Sequence, residues 1–311
     1  MSTYLACGGT SLRTWTGPRS SPRQGKSQRR IWRPTDRSKR ADGRMYPYWL
    51  EIGGYRLPTF GPMVVLGFLA AHFFIKKELQ RKGADPELAS SIITAAILGG
   101  LGGAKLYFVL FELPAQASWR EFFGAVFSGS GLTWYGGFVV AAAAIVWVIR
   151  RHGLSLGATA DASGIGLAIG YAIGRIGCQL AGDGDYGVPT DLPWGMAYPD
   201  GVVPTLAKVH PAPVYETLMG LAIFGVLWSA RKRITIPGLS FYLYLIMTGM
   251  ARLSVEFVRL NPRVLWGLTS AQLISVVLMV VGVGGVVYLL RTRRGRRGLE
   301  GSLEPARPGG E

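Results

Sequence analysis

Residues 174–187 run Gly174-Arg175-Ile176-Gly177-Cys178-Gln179-Leu180-Ala181-Gly182-Asp183-Gly184-Asp185-Tyr186-Gly187. The stretch closes a long apolar run in which Gly166, Gly170 and Gly174 put a small residue at every fourth position. That spacing stacks the glycines on one helix face and lets a neighbouring helix come close in lipid. Arg175 therefore stands near the end of a glycine-striped membrane helix, and Asp183 and Asp185 follow on a loop. A charged side chain in a membrane segment is costly, so it marks either a functional site or a side chain snorkelling to the interface.

The rest of the chain agrees with a membrane setting. Hydrophobic residues make up 49% of the 311 and charged residues only 17%, below the usual share of about 25%, and the mean hydropathy is +0.26. The net charge of +16 is unevenly placed. Residues 1–44 hold eleven Lys and Arg against Asp36 and Asp42, a net +9. They are rich in Arg, Ser, Pro and Gly, show no apolar periodicity, and lack the apolar core of a signal peptide, so they are expected to be a disordered basic extension. Met45 precedes a segment that looks like a start, which makes 1–44 a candidate mis-assigned start or a dispensable tail. The remaining basic residues flank apolar runs as topology signals do, so the charge is not taken as nucleic-acid binding. Cys7 and Cys178 form neither a disulfide framework nor a CxxC metal site.

Seven apolar runs follow, near 59–75, 88–111, 132–149, 157–181, 211–230, 237–257 and 269–290, each close to the length of about 20 residues that crosses a bilayer as a helix. A short amphipathic segment, 119–127, is expected on the membrane surface. Basic clusters follow runs one (Lys76, Lys77, Arg81, Lys82), three (Arg150, Arg151), five (Arg231, Lys232, Arg233) and seven (Arg291, Arg293, Arg294, Arg296, Arg297). If every run spans once, all four clusters fall on one side, and Lys/Arg excess makes that side cytoplasmic. The expected fold is thus an all-α polytopic membrane protein with seven transmembrane helices, N-terminus outside and C-terminus cytoplasmic. Residues 45–290 form the membrane domain and 291–311 a basic cytoplasmic tail. The basic extension on the outer side conflicts with that orientation.

A few polar groups inside or beside the runs need partners: Lys105, Tyr135, Asp161, Arg175, Arg252 and Glu256, with His210, Tyr215 and Glu216 at the start of run five. Arg252 and Glu256 are four apart and share a helix face, as a structural ion pair or as part of a site. With alternating spans, Tyr135, Arg175, Asp183, Asp185, His210, Glu216, Arg252 and Glu256 all come to the outer half of the membrane. Two arginines there suit a phosphate, whose oxygens a guanidinium grips as a fork, and acids or a phenol nearby suit proton transfer. The ligand expected from this alone is a phospholipid head group. Most glycines in the runs, Gly99, Gly100, Gly102, Gly103, Gly136 and Gly137 among them, are accounted for by helix packing.

The ordered set of motifs resembles the prolipoprotein diacylglyceryl transferase family over about 46–290. Gly174-Arg175-Ile176-Gly177, Gly182-Asp183 and Tyr186-Gly187 resemble its signature. His210-Pro211 with Tyr215-Glu216, Arg252-Leu253-Ser254-Val255-Glu256-Phe257, the 269–275 opening of the last run, and Gly136-Gly137 resemble further family stretches, and Asp161 has the matching distance from Arg175. There are departures. Tyr135 stands where the family often has His, as in some members. Cys178-Gln179 replaces Asn-Phe, Asp183 replaces Glu in a loop one residue longer, and Phe60 replaces Tyr before Gly61.

The resemblance implies transfer of the diacylglyceryl group of phosphatidylglycerol to the lipobox cysteine of a prolipoprotein signal peptide, with no metal and no cofactor. It implies residence in the lipid bilayer of the bacterial inner membrane with the active site toward the outer leaflet. The implied catalytic residues are Tyr135 as base, Arg175, Arg252 and Glu256. The implied substrate-binding residues are Arg175, Arg252, Asp183, Gly187, His210, Gly136 and Gly137. Glu216 and Asp161 are expected to be structural, and Cys178 a small buried residue rather than a nucleophile. The alternatives are a divergent member with another acceptor, a phospholipid-binding or transport protein without the chemistry, and a structural anchor, which leaves the converging polar groups unexplained.

Overall fold

The computed structural model describes residues 45–52, 55–112, 119–120, 123–124 and 133–302. The basic extension 1–44 and most of the amphipathic segment 119–127 lie outside them. Among the described residues each apolar run forms one helix: α1 Phe60–Arg81, α2 Leu88–Tyr107, α3 Trp134–Arg151, α4 Leu156–Ala181, α5 Ala212–Ala230, α6 Leu239–Glu256 and α7 Ser270–Ser302. Five of the seven, α1, α2, α4, α5 and α7, are long and apolar enough to cross a membrane. In its 18 residues α6 carries Arg252 and Glu256, and α3 ends on Arg150-Arg151. The end of α1 runs past its apolar run, because Glu78 is buried there and accepts two bonds from Arg81, 2.9 Å from Nε and 2.5 Å from Nη2. A wider π-helical turn, Phe108–Glu112, continues α2.

Half of the apolar window of α4 is buried inside the protein, against 17% for α1 and for α7. The glycine stripe explains this central place. A Cβ on Gly67 of α1 would sit 3.0 Å from the Gly170 carbonyl oxygen, so the two backbones touch where a larger residue would hold them apart. On another face of α4, Ile165 and Ala168 pack against Ile223 and Leu227 of α5, with Phe74, Tyr244 and Met247 around them. The end of α1, the start of α2, the end of α3 and the start of α4 share a second core of Ile75, Leu79, Ile92, Val148 and Ala162. Helices α2 and α3 form an antiparallel pair. A Cβ on Gly136 would overlap the Gly103 carbonyl and the Tyr107 side chain, and one on Gly137 would meet the Gly100 carbonyl at 2.8 Å.

Hydrogen bonds between helix ends sort them onto two sides. At one end Lys82, just after α1, bonds the Ala158 carbonyl (3.1 Å) and Asp161 (2.9 Å) at the start of α4, and Asp161 caps the start of α6 by accepting from Gly238 N (2.9 Å) and Phe241 N (3.0 Å). At the other end Tyr46 N donates to Leu180 O at 3.1 Å, Gly187 N to His210 O at 2.8 Å, and Val188 N to Val258 O at 2.8 Å. The starts of α1 and α5 thus lie beside the ends of α4 and α6.

Three short antiparallel hairpins cover that second end: β1 Tyr48–Ile52 with β2 Tyr55–Pro58, β3 Met196–Tyr198 with β4 Thr205–Val209, and β5 Arg263–Leu265 with β6 Leu268–Thr269. In the middle hairpin Met196 pairs with Val209 and Tyr198 with Thr205. Tyr198 is buried and donates to Gln179 Oε1 at 2.9 Å, which seats the hairpin on the end of α4.

Candidate active site

The end of α4 decides where the site forms. Gly182 takes a left-handed conformation (φ 58°) and closes the helix by donating its N–H to the Cys178 carbonyl. Gly184 is also left-handed (φ 92°). These two turns fold Asp183 and Asp185 back over Arg175, which lies two turns inside the helix end.

Arg175 Nη1 donates to Asp185 Oδ2 at 2.6 Å and to the Cys178 sulfur at 3.4 Å, and Nη2 pairs with Glu216 Oε2. Glu216, on the first turns of α5, is the hub. Its Oε1 accepts from Arg252 Nη1 at 2.5 Å and from the Tyr171 hydroxyl at 3.0 Å, and Oε2 also accepts from Arg259 Nη1 at 3.4 Å. Arg259 Nη2 returns to Asp185 Oδ1 at 2.6 Å. Arg252 Nη2 lies 2.9 Å from Glu256 Oε2, and the other Glu256 oxygen accepts from Asn261 and the Thr269 hydroxyl, each at 2.7 Å. Three guanidiniums and three carboxylates thus form one closed network spanning α4, α5, α6 and the loops after α4 and α6. Buried pairs of this kind are stable only when every charge keeps a partner. Arg175 Nε is the one buried donor of the arginines without an acceptor among the described residues.

The loop carboxylates differ. Burial pushes the Asp183 carboxyl above its ordinary range, and the neighbouring Asp185 charge adds to it. Burial acts on Asp185 in the same direction, but Arg175 and Arg259 outweigh it and hold that carboxyl below its ordinary value. Burial would lower the Arg259 guanidinium, yet Asp185 and Glu216 keep it above its ordinary value, so it stays charged. Asp185 N donates to Asp183 Oδ1 at 3.2 Å. The ligand atoms of Cys178, Asp183 and Asp185 lie within 4.8 Å of one another, as a metal site would require. Both Asp185 oxygens are spent on arginines, however, and Arg175 donates to the thiol, so this cluster belongs to the arginine network.

Of the residues expected at the site, Arg175, Arg252 and Glu256 belong to the network, with Asp183 at its edge. His210 and Gly187 tie the surrounding loops together. The His210 backbone bonds Gly187 and Val188, and its ring meets the Tyr215 hydroxyl at 3.1 Å, which also accepts from Trp194 at 2.8 Å. A Cβ on Gly187 would overlap the Val258 carbonyl. Gly136 and Gly137 face α2. Tyr135 lies in the first turn of α3, and its side chain is outside the described residues. Asp161 lies fourteen residues before Arg175 on the same helix, roughly 21 Å away at about 1.5 Å per residue.

Sequence reasoning missed Arg259 and Tyr171 and took Glu216 as structural. The 252–256–259 spacing repeats at i, i+4 and i+7, so one helical face could have brought Arg259 to notice.

Between α4, α5 and α6, beside Tyr171, Glu216, Thr248 and Arg252, is a cavity of about 20 Å³, enough for one water.

The sequence profile of the family described as prolipoprotein diacylglyceryl transferase matches residues 47–288. Among curated relatives, a protein of Leptospira interrogans serovar copenhageni is 30% identical over 276 residues, covering 72% of this chain and 86% of the relative. One of Gloeobacter violaceus is 30% identical over 257 residues (79% and 93%), and one of Thermotoga maritima 28% over 263 residues (80% and 87%). Each bears the name phosphatidylglycerol–prolipoprotein diacylglyceryl transferase.

Proposed function

The chain belongs to the prolipoprotein diacylglyceryl transferase family, and from that membership we propose that it moves the diacylglyceryl group of phosphatidylglycerol onto the lipobox cysteine of prolipoproteins. It is a multi-pass membrane transferase. The finer arrangement we assign is seven spans over 45–290, the start outside, the 291–311 tail in the cytoplasm, and the site at the outer leaflet of the inner membrane. The four basic clusters support that orientation, and so does the sorting of helix ends, with Lys82 and Arg231 on the side away from Asp185 and His210.

The observation that carries the reading is the convergence of Arg175 and Arg252 on Glu216. In the reaction the cysteine sulfur forms a C–S bond to the glyceryl carbon while that carbon's bond to the phosphate oxygen breaks. The thiol proton goes to a base, and glycerol phosphate departs with the electron pair. The thiolate is the competent nucleophile. Negative charge grows on the leaving phosphate, and Arg175 and Arg252 are the groups assigned to hold it. Tyr135 is assigned as proton acceptor. Glu256 orients Arg252, and Asp183, His210 and Gly187 shape the mouth of the site, with Gly136 and Gly137 setting the approach of α3 to α2.

Complementation tests the reading. The full chain is expressed in a bacterium depleted of its own transferase, and conversion of a reporter prolipoprotein is followed by gel shift and mass spectrometry. Growth with diacylglyceryl-modified reporter is expected. Stable insertion without modification would sink the assignment.

A further inference from the structure

The network of three cations and three anions is electrically balanced, so an entering phosphate meets no free positive charge. The adjoining cavity, at about 20 Å³, has room for about one water. The Arg252 side chain keeps a partly exposed edge at 29%, but Arg175 and Arg259 are more deeply enclosed at 13% and 9%, so a phosphate can reach those two only where a carboxylate yields, and the three carboxylates are not equally able to do so. The Glu216 side chain is 2% exposed and fixed by three arginines and Tyr171. Glu256 is fully enclosed and held by Asn261 and Thr269 as well as Arg252. Asp185 is 34% exposed and has no side-chain partner beyond its two arginines among the described residues.

The form of the Asp185 contact matches that of a bound phosphate. One oxygen takes an N–H from Arg175 and the other an N–H from Arg259, both at 2.6 Å, as two arginines grip two oxygens of a phosphate. Asp185 is short, and Gly184 beside it is left-handed. The next residue is fixed, since Tyr186 stacks on Tyr198 and its hydroxyl bonds the Val203 carbonyl. Turning the Asp185 side chain toward its exposed edge empties the fork without unfolding the loop.

We infer that Asp185 is a built-in stand-in anion that fills the fork between Arg175 and Arg259 and is displaced by the phosphate of the ligand. Arg259 is on this account a phosphate-binding residue, and Asp185 sets how tightly the site takes a phosphate. The inference rests on the transferase reading for the identity of the ligand, a phosphatidylglycerol phosphate or the glycerol phosphate released from it.

The test uses the purified full-length protein in detergent micelles. Calorimetric titration with glycerol phosphate measures the fork without any turnover. The Michaelis constant for phosphatidylglycerol in mixed micelles measures the lipid. Asp185→Asn and Asp185→Ser remove the competing charge in two shapes, and each is expected to bind glycerol phosphate about tenfold more tightly, the scale of a charge-assisted hydrogen bond no longer contested. Arg259→Gln is expected to weaken it about tenfold on the same scale. A matching fall in the Michaelis constant assigns the fork to the lipid phosphate, and tightening for glycerol phosphate alone assigns it to the released product. Unchanged or weaker binding in both Asp185 variants overturns the inference, as does a wild-type protein that transfers but binds no glycerol phosphate. Tightening in a protein that transfers nothing would uphold the stand-in anion and sink the transferase reading.

Discussion

Removing the Glu216 charge takes a partner from Arg175, Arg252 and Arg259 at once. Glu216→Gln should lower the stability of the folded protein by about 3–5 kcal/mol, the usual scale for breaking a buried charge network by one member. Thermal unfolding in detergent measures it, and a loss under 1 kcal/mol would mean that water already serves those guanidiniums. Arg175→Ala and Arg252→Ala should each abolish transfer while the protein still inserts, and near-normal turnover in either would remove that arginine from the phosphate. Asp183 carries a prediction of opposite sign. Its folded pKa is raised, by burial first and by Asp185 second. Its contribution to stability is thus complete below the ordinary carboxylate pKa of about 3.9 and is lost as pH rises through the folded value. Asp183→Asn should therefore be more stable than wild type at neutral pH, yet slower in transfer. Unfolding temperatures taken from pH 4 to 8 should show the gap widening with pH, and a constant gap would mean that Asp183 does not titrate in that window.

Helices were the most legible elements, because each is a long apolar run and needs no partner to satisfy its backbone. The three hairpins were not, since their strands are two to five residues long and Leu206, Val264 and Leu265 are exposed, which leaves little of the apolar alternation that marks a strand. The glycines separate in the same way. The sequence spacing marks Gly102, Gly103 and Gly136 alike as packing residues, but only the last two meet the neighbouring helix. Gly136→Leu should force α2 and α3 apart and cost about 1–3 kcal/mol, as overpacking of a close contact does. Gly102→Ala, with open space around its Cβ, should be neutral or stabilise by up to about 1 kcal/mol through helix propensity. Equal losses in the two variants would mean that the α2–α3 contact is not what the glycines serve.

At the scale of the whole molecule, a shared depth for the arginines was expected from an alternation of spans, and the identity of their partners was not. Arg175 meets Asp185 within its own motif, which is local. The Arg175–Glu216, Arg252–Glu216 and Arg259–Asp185 pairs span 41, 36 and 74 residues of sequence, and one sequence holds no signal for such distances. That is why Glu216 looked structural and Arg259 went unnoticed, although the outer ends of their helices were expected to meet. The alternation itself is open to a direct check. In a Cys7→Ser background, with Cys178 buried, single cysteines at Lys208 and Thr235 sit on exposed positions of β4 and of the turn after α5. A membrane-impermeant maleimide applied to intact spheroplasts should label the Lys208→Cys protein and leave the Thr235→Cys protein unmodified until the cells are lysed. The reverse pattern would put the arginine network on the cytoplasmic face, away from any prolipoprotein whose lipobox has crossed the membrane. Labelling of both would mean that α5 does not span. Labelling of Lys208→Cys alone would leave Arg175, Arg252 and Arg259 where a lipid of the outer leaflet and a translocated cysteine can meet.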